Sequence, residues 1–220
     1  MIKAVIFDLD GTILDTEKYY RICWPEACAH FGFDLDEEKY LKLRSLGRPF
    51  AIETFREWFG DSFDYDKVRA YRKDLYEELV KERGIQTKAG AREALDWLKD
   101  NGILRAVATA TDMERTTRYL KSLDLDNCFD RICSAADCKF GKPAPDVYLK
   151  ALETLGLKDE ECIAVEDAPN GILSASRAGL RVVFVPDQTD DEPELKNCIY
   201  AKISTLNDLP GVILNEKDRS

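Results

Sequence analysis

Histidine is nearly absent from this 220-residue chain, which carries one, His30. A histidine-rich metal centre is therefore excluded, and a catalytic triad would have to be built on that single ring. Lying beside Phe31 on an apolar helical pattern, His30 reads as structural. Long apolar runs are missing as well. No stretch approaches the ~20 residues of a membrane-spanning helix. The opening Met1-Ile2-Lys3-Ala4-Val5-Ile6-Phe7 meets Asp8 and Asp10 too soon for a secretory signal, so the expected compartment is the cytoplasm. Positive charge is in deficit: 32 Lys and Arg face 42 Asp and Glu, a net charge of −10. That balance argues against nucleic acid or a membrane surface as a partner, since both need concentrated Lys and Arg. A small phosphate ligand stays open, provided that its site gathers cations, amides and metal locally.

The seven cysteines form no Cys-x-x-Cys pair and are odd in number. Cys128, Cys133 and Cys138 are regularly spaced but have no histidine near them, so all seven read as reduced packing residues rather than zinc ligands. Phosphate-loop signatures are missing too. There is no Gly-x-Gly-x-x-Gly, and Gly141-Lys142 has Ala136 where a Walker loop has its first glycine. A resident metal is then expected to be a hard, carboxylate-bound ion.

What is present has an α/β rhythm. Short apolar runs at Ala4–Phe7, Leu104–Ala108, Cys162–Val165 and Val182–Val185 suit strands buried on both faces. Helical patterns at Lys88–Lys99, Met113–Leu123, Asp146–Leu155 and Asn170–Ala178 separate them, several stopped by glycine. This alternation predicts a doubly wound parallel sheet, which binds ligands outside the carboxyl ends of its strands. From about Thr16 to Ile85 the rhythm breaks into helices: Glu17–Phe31 bent at Pro25, Glu37–Leu46, Pro49–Phe59 and Asp66–Arg83. Seventy residues are too many for one crossover, so the reading is an inserted helical domain. Near the carboxyl end stand a weak strand signal at Ile199–Ile203 and a polar tail from Asn215.

The strand ends carry the chemistry. After the first comes Asp8-Leu9-Asp10-Gly11-Thr12, two carboxylates two residues apart on extended chain with a glycine that lets backbone approach a ligand. Two acids directly after a buried strand are costly unless a cation neutralises them. After the second comes Thr109-Ala110-Thr111-Asp112, a hydroxyl and free amides at a helix start, with Thr111 and Asp112 equally suited to cap that helix. Gly141-Lys142-Pro143 then offers an ammonium on a constrained loop. Glu166-Asp167 forms a second acidic pair, followed by Asn170-Gly171 at a turn into a helix. Such oxygens are the donors Mg²⁺ prefers.

With these four elements in order, the chain resembles the haloacid dehalogenase-like superfamily, in its phosphatase and β-phosphoglucomutase branch with a helical cap. The resemblance implies a Rossmann-like core of residues 1–15 and 87–220, a cap of residues 16–86, and a bound Mg²⁺. It implies that Asp8 is the nucleophile, forming an aspartyl-phosphate, and that Asp10 protonates the leaving oxygen and then activates water. Asp8, the backbone carbonyl of Asp10, and Asp167 are its implied metal ligands, with Glu166 direct or through water. Thr109, the amide of Ala110, and Lys142 would hold phosphoryl oxygens. Asp15 and Thr16 are expected to orient the turn into the cap.

Glu17, Tyr20 and Arg48 are the candidate substrate contacts, because the linker and the Gly47 turn would face the opening. Two departures separate the chain from the sugar phosphomutases. Tyr20 stands where those proteins carry a histidine, and Gly47-Arg48-Pro49-Phe50 does not reproduce their arginine loop in order. The expected activity is therefore Mg²⁺-dependent hydrolysis of a small phosphorylated metabolite, such as a sugar phosphate. The alternatives are a β-phosphoglucomutase-type isomerisation or a phosphate-binding module without catalysis.

Overall fold

A computed structural model describes residues 1–217 of the chain. Six strands form one parallel sheet: β1 (Ala4–Phe7), β2 (Leu104–Thr109), β3 (Arg131–Ser134), β4 (Cys162–Glu166), β5 (Arg181–Phe184) and β6 (Ile199–Lys202). Their spatial order is β3-β2-β1-β4-β5-β6. Phe7 sits in register between Val107 and Val165, so β1 is central. Winding reverses between β1 and β4, and a crevice opens at their carboxyl ends. Asp8 leaves one side of that crevice and Asp167 the other.

Strand alternation divides the core into two layers. Val5, Phe7, Ile163 and Val165 face one way with α5 (Ala91–Asp100), α6 (Met113–Ser122) and α9 (Leu209–Lys217). Ala4, Ile6, Ala106, Ala108 and Ala164 face the other way, against α7 (Asp146–Leu155) and α8 (Pro169–Arg177). The second face is alanine-rich, which lets Tyr148 of α7 lie fully buried against the sheet.

Between β1 and α5 run α1 (Glu17–His30), α2 (Glu37–Leu43), α3 (Phe50–Phe59) and α4 (Tyr65–Arg83). Helix α1 continues through Pro25. It packs on α4 through Tyr20 and Tyr76, whose rings stack with centroids 4.5 Å apart. Asp36 and Asp64 cap α2 and α4 by accepting from Lys39 and Lys67 amides. Helix α2 stops at Leu43, earlier than its pattern suggests, because the chain turns through the left-handed region at Ser45. His30 stacks on Tyr71, and all seven cysteines are free thiols.

Two joints seat the helical segment over the strand ends. At its termini, Asp15 N–H donates to the Gln86 carbonyl and Lys88 N–H to the Ile13 carbonyl, 2.9 and 2.8 Å. At its middle, Gly47 N–H donates to the Lys142 carbonyl and Gly141 N–H to the Arg48 carbonyl, both 2.7 Å. A Cβ on Gly47 would stand 2.6 Å from Gly141 Cα, so the two backbones cross only as glycines.

Two further elements escape the sequence expectation altogether. Strand β3 escapes the pattern because it is a short edge strand that opens on exposed Arg131. Helix α9 begins Leu209-Pro210-Gly211, which reads as a turn until proline is counted in a first helical turn. The expected polar tail from Asn215 falls partly inside this helix, and residues 218–220 lie outside the described part. No helix of the described residues is long and apolar enough to cross a membrane. Replacing the fully buried Ala164 by Leu is expected to overpack the α7–α8 face and cost about 1–3 kcal/mol. A urea midpoint lowered at unchanged slope would register that cost.

Candidate active site

Four ionisable side chains meet in the β1/β4 crevice. Lys142, brought in by the loop before α7, has its Nζ 2.5 Å from Asp8 Oδ1 and 2.6 Å from Glu166 Oε1. Lys142, Glu166 and Asp167 are fully buried and Asp8 nearly so. Tyr148 donates its hydroxyl to Glu166 Oε1, and Thr12 donates to Asp167 Oδ1 at 2.8 Å. The other oxygen of each acid, Asp8 Oδ2, Glu166 Oε2 and Asp167 Oδ2, has no hydrogen-bond partner. These three residues offer donor atoms within 4.8 Å of one another.

An unpaired buried carboxylate oxygen is expensive, and three converging ones are tolerable only around a cation. Three carboxylates against one ammonium leave a formal charge of −2, matched by a divalent ion with hard oxygen ligands. The crowding is visible in the acidities. Burial pushes Asp8 up to about 8 against the pull of Lys142. Asp167 is raised well above the carboxylate range by burial and then by Asp8 and Glu166. Burial works against the Lys142 ammonium, yet Asp8 and Glu166 hold it charged. Gly11 completes the floor: its φ is +89°, and a Cβ there would lie 2.4 Å from Asp167 Oδ2.

Asp10 is held apart from this cluster by hydroxyls. Thr16 donates to its Oδ1 and Thr111 to its Oδ2, each at 2.7 Å. With both oxygens engaged, its side chain is not among the converging free donors, which leaves its carbonyl as the group available to a metal. Helix α6 is capped by Asp112, which accepts from Arg115 N–H at 2.9 Å. Thr111 is thereby free for Asp10, and Arg115 Nη2 in turn donates to Thr111 Oγ1 at 3.1 Å. Thr109 Oγ1 accepts from Thr111 N–H at 3.0 Å. Its own O–H proton remains available to a ligand.

Asp8 and Asp10 open into a cavity of about 110 Å³ roofed by the helical segment. Ala110 and Thr111 border it from the core, and Glu17, Tyr20, Arg44 and Arg72 from above. Arg48 is not brought to it. Its guanidinium lies over the Tyr65 ring at 5.2 Å and pairs with Asp66 while half exposed. Glu17 is 6% exposed; burial, then the charge of Asp10, pushes it up to about 8, although Tyr40 donates to its Oε2 at 3.0 Å. Asn170 points away from the acids and donates to the Lys42 and Arg44 carbonyls, 3.0 and 2.8 Å, tying α8 to the end of α2.

Sequence reasoning assigns nothing to Thr12 and Tyr148 and gives Thr16 only a turn and Thr111 a helix cap, whereas in the fold each of the four donates to a site acid. Their signal was faint: hydroxyls in turns are ordinarily caps, and only the folded chain shows which acid each one reaches.

Known proteins resemble this chain over most of its length. A family model described as "haloacid dehalogenase-like hydrolase" matches residues 5–185. The chain belongs to this family. It is similar to the phosphorylated carbohydrates phosphatase of Thermotoga maritima, 31% identical over 188 residues, 83% of this chain and 84% of that protein. It is also 30% identical to hexitol phosphatase B of Escherichia coli O157:H7 over 217 residues, 94% of each. Among solved structures, β-phosphoglucomutase of Clostridium difficile superposes with a TM-score of 0.82 at 26% identity, covering 99% of this chain and 97% of that one. Within the family the chain is an enzyme of the phosphatase branch.

Two outcomes follow from the electrostatics. In chelator, Lys142→Met strands Asp8 and Glu166 without a counter-charge and is expected to lose about 3–5 kcal/mol in urea unfolding. For Glu17, the folded chain keeps a proton between about pH 4.5 and 8 that the unfolded chain has released, so its contribution to stability falls as pH rises through that window. Glu17→Gln is therefore expected to be more stable than wild type at pH 8, by up to about 4 kcal/mol, with the gain vanishing near pH 4. Melting curves across pH read both ends.

Proposed function

We propose that the protein is a Mg²⁺-dependent phosphomonoesterase that hydrolyses a small phosphorylated metabolite of the sugar or polyol class through an aspartyl-phosphate on Asp8. The observation that carries this reading is the set of three unpartnered carboxylate oxygens around Lys142, with Asp10 held separately beside them. Asp8, Glu166, Asp167 and the Asp10 carbonyl would hold the ion. When bound, Mg²⁺ supplies charge neutralisation for the approaching phosphate.

The remaining chemistry belongs to the chain. One Asp8 oxygen attacks phosphorus as the ester P–O bond breaks, and Asp10 gives its proton to the departing alkoxide. Water then loses a proton to Asp10 and attacks the phosphorus of the acyl phosphate, releasing inorganic phosphate and restoring Asp8. The Lys142 ammonium offsets negative charge at Asp8 and on the phosphoryl oxygens. Thr109 and the Ala110 amide would donate to those oxygens. The two hydroxyls on Asp10 fix its orientation, and each can rotate to serve the protonated as well as the ionised acid.

Residues 16–86 act in this reading as a cap that excludes water from the acyl phosphate and presents Glu17 and Tyr20 to the substrate. The similarity to phosphatases named for phosphorylated carbohydrates and hexitols supports the substrate class. Isomerisation of β-glucose 1-phosphate is the reaction to assay beside phosphate release, given the mutase among the structural neighbours.

Asp8→Asn is expected to lower phosphate release from polyol, sugar and aryl phosphates by at least about 10³-fold with Mg²⁺ present. Asp10→Asn keeps the nucleophile and is expected to accumulate a hydroxylamine-sensitive phosphoprotein. Wild-type turnover in Asp8→Asn, or isomerisation without phosphate release by the native enzyme, would overturn the proposal.

A further inference from the structure

The roof of the cavity contains buried positive charge that the hydrolysis of a neutral-tailed ester does not use. Arg72 of α4 is 5% exposed, with its guanidinium carbon 5.0 Å from the centre of the Tyr20 ring and 4.8 Å from that of Trp24. The rings flank the cation but offer it no acceptor in the hydrogen-bonding sense. Its Nε and Nη1 have no partner, and among the described residues no carboxylate pairs with it. Arg115, 6% exposed on α6, comes in from the core, 5.9 Å from the Tyr20 ring and 5.3 Å from that of Tyr76. One of its nitrogens serves Thr111, while its Nε has no partner. The Tyr76 hydroxyl is also unpartnered.

A third arginine on the same cavity shows what a structural one looks like. Arg44 is 3% exposed, pairs with Glu192 at 2.7 Å, and donates to Thr189 and to the Leu41 carbonyl. Arg72 and Arg115 have no such counter-ion, in a chain with ten more acidic than basic residues. Of the acids on the cavity, Asp8 is paired with Lys142, Asp10 is engaged by two threonines and Glu17 by Tyr40. Burying two like charges with unfilled donors is costly, and an anionic ligand between them would remove that cost.

We infer that Arg72 and Arg115 form an anion subsite that binds a second negative group of the substrate, a carboxylate or a second phosphate, on the cap side of the cavity. This inference rests on the phosphatase reading and narrows it to phosphate esters with a charged tail. The links Arg115–Thr111–Asp10, 3.1 and 2.7 Å, put the subsite one side chain from the proposed general acid, so the spacer between the two anionic groups is short.

The test compares kcat/KM for three esters of one carbon skeleton: glycerol 3-phosphate, 3-phosphoglycerate and glycerol 1,3-bisphosphate. At least one charged tail is expected to raise kcat/KM about tenfold or more over glycerol 3-phosphate, and the preferred one distinguishes carboxylate from phosphate. Arg72→Gln is expected to bring that ratio close to one. Should Arg72→Gln prove unfolded by circular dichroism, Arg72→Lys, which keeps the charge and loses the planar fork, is expected to lower the ratio severalfold.

A native ratio near one for both charged tails, or a ratio unmoved in a folded Arg72 variant, would overturn the subsite while phosphate release continues. If the native enzyme with Mg²⁺ releases phosphate from none of the three esters and from no aryl phosphate, the phosphatase reading falls, and the subsite falls with it.

Discussion

The ammonium of Lys142 stands between Asp8 and Glu166 with no access to water, and the active-site end of the sheet is arranged around that contact. One cation cannot neutralise three buried acids. The residual negative charge, with one unsatisfied oxygen on each acid, is a standing demand for a second cation. Stability is given up at this point, and under the proposed function the return is a site already oriented for metal and phosphate, the condition under which electrostatic preorganisation lowers a barrier. Thr12 and Tyr148 turn the acids so that their free oxygens converge. Gly11 and Gly171 keep the space open, since a Cβ at either would collide with Asp167 or Glu166.

The same loop that carries Lys142 also touches the helical segment. Through the Gly47–Gly141 crossing and its paired hydrogen bonds, the position of the roof and the position of the lysine backbone are mechanically connected. Asn170 adds a second tie, from the helix that follows Glu166-Asp167 to the end of α2. A cavity built this way has an acidic floor from the strand ends, faced by guanidinium groups of α4 and, from the core, α6, and by aromatic rings of α1 and α4. The polarity of the two halves is opposite. Under the proposed subsite, an anion entering there would be drawn toward the guanidinium side and screened on the carboxylate side, which would orient a doubly charged ester before any chemistry begins.

Much of this was readable in the chain itself. Alternation of short apolar runs with helical patterns specified the parallel sheet, because strands buried on both faces need unbroken apolar residues and crossovers need helices. Acids, a threonine and a lysine placed just after successive strands had to arrive at one edge, since parallel strands all end on the same side. The edge strand β3 and the helix α9 escaped because the first opens on arginine and the second on residues that ordinarily mark a turn.

Sequence alone therefore determined which backbone positions meet: Asp8, Asp10, Thr109, Lys142, Glu166 and Asp167 are brought together by topology, a property of order along the chain. Tertiary structure decided what each side chain does after arrival. Arg48 turned outward to Asp66, whereas Arg72 and Arg115, which nothing in the local sequence marks, turned inward between aromatic rings. The reason is physical. The backbone path follows local hydrophobic periodicity, but the direction of a charged side chain is settled by competition among distant partners, and those distances exist only in the folded chain.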